Sequence, residues 1–273
     1  MENLRPLADA MPPNIRSVLM DLTNHGGSPH DDDATITSMV EDVRYTLEKI
    51  HNVPKAGEIL LLGHGLGARV AMQLALSDPK FVRLLCIVDT PPVPPGREER
   101  EFSDKVLPAM NSLHLPKLRN RKDAFNNIKI ENEQWKSLVL ANLDISEADS
   151  QTGFTSASDS EADHKWIFGW RCNLAGLTEN VDILQNHQFE GIYSQPVLFI
   201  SGEKSNVSKS DYLDHFNQMF PNNDHLRVAG AGHWVHNDNP DYFQELVKEF
   251  FTEGNHETWL GPLSTLLNRD DIQ

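Results

Sequence analysis

The stretch LLLGHGLGARVAM, residues 60–72, constrains the fold more than any other part of the chain. It opens on a solid apolar run, passes glycines at 63, 65 and 67, and continues at helical spacing. That order predicts a buried strand, a tight turn and a helix, because glycine lets a backbone reverse sharply and pack closely on itself. Two chemistries use such a turn. In the frame G-x-S-x-G a nucleophilic serine stands at the apex, and here Gly65 holds that position. In the frame G-x-G-x-x-A, Gly63, Gly65 and Ala68 form a dinucleotide-binding turn. Asp89, 21 residues past Ala68, would then end the next strand as the ribose-binding acid.

The rest of the chain alternates in the same way. ENLRPLADAM reads as the tail of an amphipathic helix, IRSVLMDL as a short buried strand ending at Asp21, and TNHGGSPHDDD as a loop. Ile36, Met39, Val40, Val43, Leu47 and Ile50 recur at helical spacing. GEILLLG is a strand, LGARVAMQLALSDP a helix closed by Pro79, and VRLLCIVD the next strand. Later come strand QPVLFISG, helix KSDYLDHFNQMF, strand DHLRVAG and a helix over residues 241–252. Such alternation predicts an α/β fold, a mostly parallel sheet covered by helices on both faces.

The rhythm breaks after Asp89, where TPPVPPGREERE leads into polar helices over residues 97–142. The organisation that follows is a core from residues 1–91 and 192–252, a helical cap inserted over 92–191, and a tail over 253–273 that could dock through Trp259, Leu263, Leu266 and Leu267. A chain of 273 residues accommodates one such domain with its cap. Residues 144–164, DISEADSQTGFTSASDSEADH, are acidic and serine-rich, and predict a disordered segment within the cap. The cap should sit over the carboxyl ends of the strands, where open α/β sheets build their sites.

Charge and composition remove several functions. Lys and Arg number 24 against 40 Asp and Glu, a net charge of −16 that repels a phosphate backbone, so no nucleic-acid partner is expected. No C-x-x-C or H-E-x-x-H spacing occurs and the 12 histidines are scattered, so neither a metal nor another cofactor is expected. Cys86 and Cys172 are too few and too far apart for a disulfide framework, which favours a reducing compartment. No apolar run approaches the ~18 residues of a membrane span.

Between the two frames, the hydrolytic one draws on more of the sequence. Gly63 and Gly67 flank the apex as a strained elbow requires, with His64 beside it. VAGAGHWVHNDNP falls between the last strand and the last helix, which places His233 as a general base. Asp89, at the end of the strand after the elbow, can orient that histidine. The loop SGEKSNVS holds Ser205 and Asn206 at the other positions for an acid, so it offers only Glu203. Ser17, Ser38 and Ser201 lack the elbow context of a replacement nucleophile.

Four stretches in order, DLTNHGGSPH, LLGHGLGARVAMQLAL with VDTPP, WRCNLAGL and AGAGHWVHNDNP, make the chain resemble the α/β-hydrolase superfamily, and within it the small esterases of the abhydrolase domain-containing protein 11 group. The resemblance implies hydrolysis of small carboxylic esters or thioesters through an acyl-enzyme. It makes Asp89 the acid and His233 the base. The Leu66 backbone N–H is left as an oxyanion donor, His64, His25 and His236 are placed to brace the site, and Trp166 and Trp170 serve equally as pocket walls or as core packing. It also implies an intracellular protein, mitochondrial or cytoplasmic.

Three departures bear on activity. Gly65 has no side chain to carry an acyl group, so activity is impaired or repurposed. Members of the group begin with strands and a His-Gly loop that gives a second oxyanion donor, whereas Met1 here falls within the helix after that loop. Either the natural chain begins earlier or the front of the fold is rebuilt, with the strand of residues 15–21 left beside that of residues 58–63. Thr23 stands where the group carries arginine, and the acidic stretch lengthens the cap connection at small entropic cost. The alternatives are a non-catalytic protein that binds a protein partner or small ligand through the old pocket, and a dinucleotide site at residues 63–68.

Overall fold

Strand and helix alternate around the glycine turn in the computed structural model, which describes residues 2–32, 34–50, 58–147, 166–209 and 212–253. Helices α1 (Arg5–Ala10) and α2 (Ile36–Tyr45) precede strand β1 (Ile59–His64), helix α3 (Leu66–Ser77) and strand β2 (Val82–Val88). The cap supplies α4 (Arg97–Ser112), α5 (Arg121–Asn127), α6 (Glu133–Ala141), β3 (Leu143–Glu147), β4 (Trp166–Trp170) and α7 (Leu174–Gln185). The core resumes with β5 (Val197–Gly202), α8 (Leu213–Met219), β6 (Asn223–Val228), α9 (Val235–Asp238) and α10 (Pro240–Glu253).

The four core strands form one parallel sheet in the order β1-β2-β5-β6. Its central strands are apolar on both faces, because both faces are covered. Leu85, Ile87 and Phe199 pack with α2, α3 and α8, while Cys86, Val88, Leu198 and Ile200 pack with α10 through Phe243, Leu246, Val247 and Phe250. Thr35 and Ser38 close a reciprocal cap on α2, which fixes where the helix begins after the loop.

The predicted strand at residues 15–21 does not form. Ile15, Met20 and Leu22 are partly buried against the two core clusters, so the apolar pattern is used, but the segment joins no ladder. A strand is defined by its hydrogen-bonded neighbour. Among the described residues β1 pairs with β2 alone and ends the sheet.

The cap has its own apolar cluster, built from Val106, Ala109, Met110, Ala124, Val139, Leu143 and Cys172 among others. It is not purely helical. Residues 144–147, expected to be disordered, belong to β3, which pairs antiparallel with β4. Leu143 and Ile145 stand opposite Trp170 and Phe168, and these four side chains face the cap cluster while Asp144 and Ser146 alternate outward. The remainder of the acidic segment, 148–164, and the tail from 254, including the docking residues Trp259, Leu263, Leu266 and Leu267, lie outside the described residues. Trp166, expected as a pocket wall or as core packing, is 42% exposed.

Two sets of bonds fasten the cap. Asn24, fully buried, exchanges two bonds of 2.7 Å with Asp31 across its own loop. Its backbone and side-chain oxygens then accept from Asn173, the residue that caps α7. The TNHGGSPH loop and the WRCNLAGL run therefore meet each other. Arg69 of α3 makes the second set. Its guanidinium donates to the carbonyls of Val93, Leu184, Gln185 and His187 and lies over the Phe189 ring. Burial pulls its pKa down to about 10, so the cation is retained at neutral pH.

Candidate active site

The site stands at the carboxyl ends of β1, β2, β5 and β6, as sheet topology requires. At the end of β1 the chain turns into α3 through Gly65, at φ 56° and ψ −124°. A side chain is strained in that backbone region. Gly63 is required for a different reason. A Cβ there would lie 2.3 Å from the Gly67 carbonyl oxygen, so strand and helix touch through bare backbone. At Gly65, by contrast, a Cβ meets nothing within 4 Å, and the apex is open. The turn is held by the Gly65 N–H, which donates to Thr90 Oγ1 at 2.9 Å, and by the Gly65 carbonyl, which accepts from Ala68 and Arg69.

Asp89, just past β2, is fully buried and takes φ 45°, a conformation uncommon for any residue but glycine, asparagine and aspartate. Its Oδ1 accepts from the Gly202 N–H at 3.0 Å, and its Oδ2 from Ser205 Oγ at 2.6 Å and from His233 Nδ1 at 2.8 Å. Three donors compensate the burial of this carboxylate. The His233 side chain is 42% exposed, so one ring nitrogen is held by Asp89 while the other remains available. Because the carboxylate accepts, Nδ1 carries the proton and Nε2 is the basic nitrogen of the neutral ring.

Two further histidines surround this pair. The His64 ring lies 4.5 Å from that of His233 and 4.9 Å from that of His236, centroid to centroid. His64 Nε2 donates to the His233 carbonyl at 3.0 Å, which fixes its tautomer and the backbone of the base together. Burial, reinforced by His233 and His236, holds the His64 pKa well below the usual histidine range. Burial also takes His236 down to about 4, and neither of its ring nitrogens has a hydrogen-bond partner. Both rings are neutral at pH 7, so His233 has neutral neighbours on β1 and α9. Trp234 closes one edge of His233 with its ring at 5.2 Å.

Of the residues singled out in the sequence, Gly65, Leu66, Asp89, His233, His64 and His236 are brought together. His25 is not. Its Nδ1 bonds the Thr23 carbonyl within its own loop, and burial lowers its pKa. Thr23 itself donates to Asp42 of α2. Glu203 accepts from the Gly230 N–H and braces the β5 and β6 loops, whereas Asp89 is the carboxylate bonded to His233. Ser201 is fully buried and bonded to His225 at 2.8 Å, Ser38 caps α2, and Ser17 bonds Ala8, so none is placed as a nucleophile. Thr90 and Ser205, which hold the elbow and the acid, were not assigned from sequence. Both lie just beyond the carboxyl end of a strand, and that position is the signal that could have found them.

The dinucleotide frame loses its acid, since Asp89 is fully buried and turned to the protein's own donors. Among the described residues no group of three or more His, Cys, Asp or Glu side chains is arranged to hold a metal ion. Within the same residues no helix is long and apolar enough to cross a membrane.

Residues 2–246 match the model of the "Alpha/beta hydrolase family". The chain is 31% identical over 254 residues to "sn-1-specific diacylglycerol lipase ABHD11" of Mus musculus, covering 91% of this chain and 76% of that protein. It is 25% identical over 254 residues to "Esterase YbfF" of Escherichia coli (strain K12), covering 93% and 89%. Among solved structures, "Marine microorganism esterase" superposes with a TM-score of 0.75 at 23% identity, over 89% of this chain and 88% of the other.

Proposed function

The chain belongs to the alpha/beta hydrolase family, and from that premise we propose that it binds small carboxylic ester or thioester acyl groups at the Gly65 elbow but forms no acyl-enzyme. The observation that supports this is one contrast. The Asp89–His233 pair is assembled at 2.8 Å, while the elbow beside it carries no side chain. Hydrolysis, where it occurs, then proceeds in one displacement. His233 Nε2 takes a proton from water, the resulting hydroxide adds to the acyl carbon, and the Leu66 N–H faces the developing oxyanion. The tetrahedral adduct expels the alcohol or thiol, which recovers the proton from His233, and the acid leaves. Asp89 holds the ring and offsets its transient charge.

Impaired turnover follows, because a family that works by nucleophilic catalysis retains only about 10³–10⁴-fold over water when one triad member is lost. The buried free thiols Cys86 and Cys172 fit a reducing compartment, mitochondrial or cytosolic. The open apex favours one other reading, a protein that uses the pocket and cap to bind a small ligand or partner without turnover. Hydrolysis of p-nitrophenyl butyrate separates the two. Residual turnover that falls at least tenfold in His233→Ala supports the single-displacement route. Turnover indifferent to His233 removes it.

A further inference from the structure

The acyl ligand can be specified more closely, on the reading that elbow and dyad form an acyl pocket. We propose that the ligand this site holds best is a free monocarboxylate, the acid half of an ester, bridged between the His233 imidazole and the backbone N–H groups that open α3. The space for it is the open apex. An ordinary elbow fills that volume with a hydroxyl, whereas at Gly65 a Cβ would have no neighbour within 4 Å. Donors for it stand on two sides. His233 Nε2 is available because Nδ1 is committed to Asp89. On α3, the Ala68 and Arg69 N–H groups are taken by the Gly65 carbonyl, so Leu66 and Gly67 carry the helix's remaining first-turn donors. An ester carbonyl offers one oxygen to this arrangement. A carboxylate offers two, one for each side.

Charge makes the binding proton-linked. The groups facing His233 are His64 on β1 and His236 on α9, both neutral, and Asp89 after β2. Asp238 of α9 lies near but is spent on the Gly232 N–H at 2.7 Å. A carboxylate beside a neutral His233 would add a second negative charge to that of Asp89, with no cation between them. With the imidazole protonated, the sequence carboxylate, imidazolium, carboxylate is satisfied at each contact. The ligand therefore brings one proton onto His233.

Calorimetric titration of the whole chain with sodium octanoate at pH 8, in phosphate and in Tris, tests this. Those buffers differ in heat of ionisation, so the comparison counts protons. Expected are one site and uptake close to one proton on binding. Octanamide, uncharged and of equal length, should bind at least tenfold more weakly. Gly65→Ser should weaken octanoate at least fivefold, and His233→Gln, with folding checked by melting, should abolish the proton uptake. Equal binding of octanamide, unchanged affinity in Gly65→Ser, proton uptake that survives His233→Gln, or no octanoate binding would each overturn the proposal. Ester hydrolysis by Gly65→Ser reports separately on the pocket. If it appears while the parent binds no octanoate, the acyl-pocket reading stands and the carboxylate inference falls. If it is absent while octanoate binds through His233, the carboxylate site stands without the esterase reading.

Discussion

Restoring a hydroxyl at the elbow apex is the perturbation on which the functional reading is most exposed. Gly65→Ser places a Cβ where nothing lies within 4 Å, so packing does not oppose it. Backbone strain does, because the residue keeps φ 56°. A non-glycine residue in so sparsely populated a backbone region costs about 1–3 kcal/mol, which in a domain of this size lowers the melting temperature by roughly 2–12 °C. The gain in activity can be bounded. Removing the nucleophile of a serine hydrolase costs about 10⁶ in kcat. Restoring serine should therefore raise p-nitrophenyl butyrate turnover by up to about 10⁶-fold. Rapid mixing should show a burst of p-nitrophenol matching the enzyme concentration, and Gly65→Ser with His233→Ala should lose it. A Gly65→Ser protein that melts within this window yet shows neither burst nor gain would refute the assignment of Gly65 as the vacated nucleophile position.

Two further predictions concern the support of the site. Arg69→Met leaves four carbonyls of the cap and its linker without their donor, and should cost about 2–4 kcal/mol in urea unfolding while speeding proteolysis between the core and α4. Arg69→Lys should recover only part of this, since an ammonium cannot span the same fork. His236 is 7% exposed and its pKa falls from 6.5 to about 4, so the unfolded chain binds a proton that the folded one refuses. Its contribution is present above about pH 6.5 and is lost as the pH falls towards 4, at most about 3 kcal/mol in all. The melting temperature should therefore drop across that interval, and His236→Phe should flatten the drop.

How much of this was legible in the sequence depends on whether a feature is local or relational. The elbow was legible because Gly63 and Gly65 meet backbone demands that neighbouring residues create. Asp89 and His233 were legible because an α/β sheet sends its loops to one edge, and each ends a strand or follows one. The run at residues 15–22 carried the right apolar pattern, but pairing is a property of two segments, and period alone supplies only one of them. In the cap, the acidic composition of residues 144–164 concealed an alternation, Leu143 and Ile145 against Asp144 and Ser146, that signals a half-buried strand. Thr90 and Ser205 were legible only by position, just past the carboxyl end of a strand. Their role lies in reaching across to Gly65 and Asp89, and nothing in their own neighbourhood requires a hydroxyl.

A histidine beside an aspartate can also be a mere structural tie, and stability distinguishes the cases. Were the pair structural, each partner would depend on the other. The geometry says otherwise. Asp89 keeps the Gly202 N–H and Ser205 hydroxyl whether or not His233 is present, and remains a buried carboxylate with two donors. His233, 42% exposed, is hydrated when it is not bound. Removing the histidine should then cost under about 1 kcal/mol. Removing the acid is a different matter, because Asp89→Ala strands two buried donors and should cost about 3–5 kcal/mol. Urea unfolding of His233→Ala and Asp89→Ala measures the asymmetry directly. If the two variants lose stability equally, His233 is held for the fold. If the histidine is nearly free to remove, the fold is spending a buried aspartate at φ 45° to aim a ring that stability does not need, and aiming a base at an acyl group is the use that the geometry leaves for it.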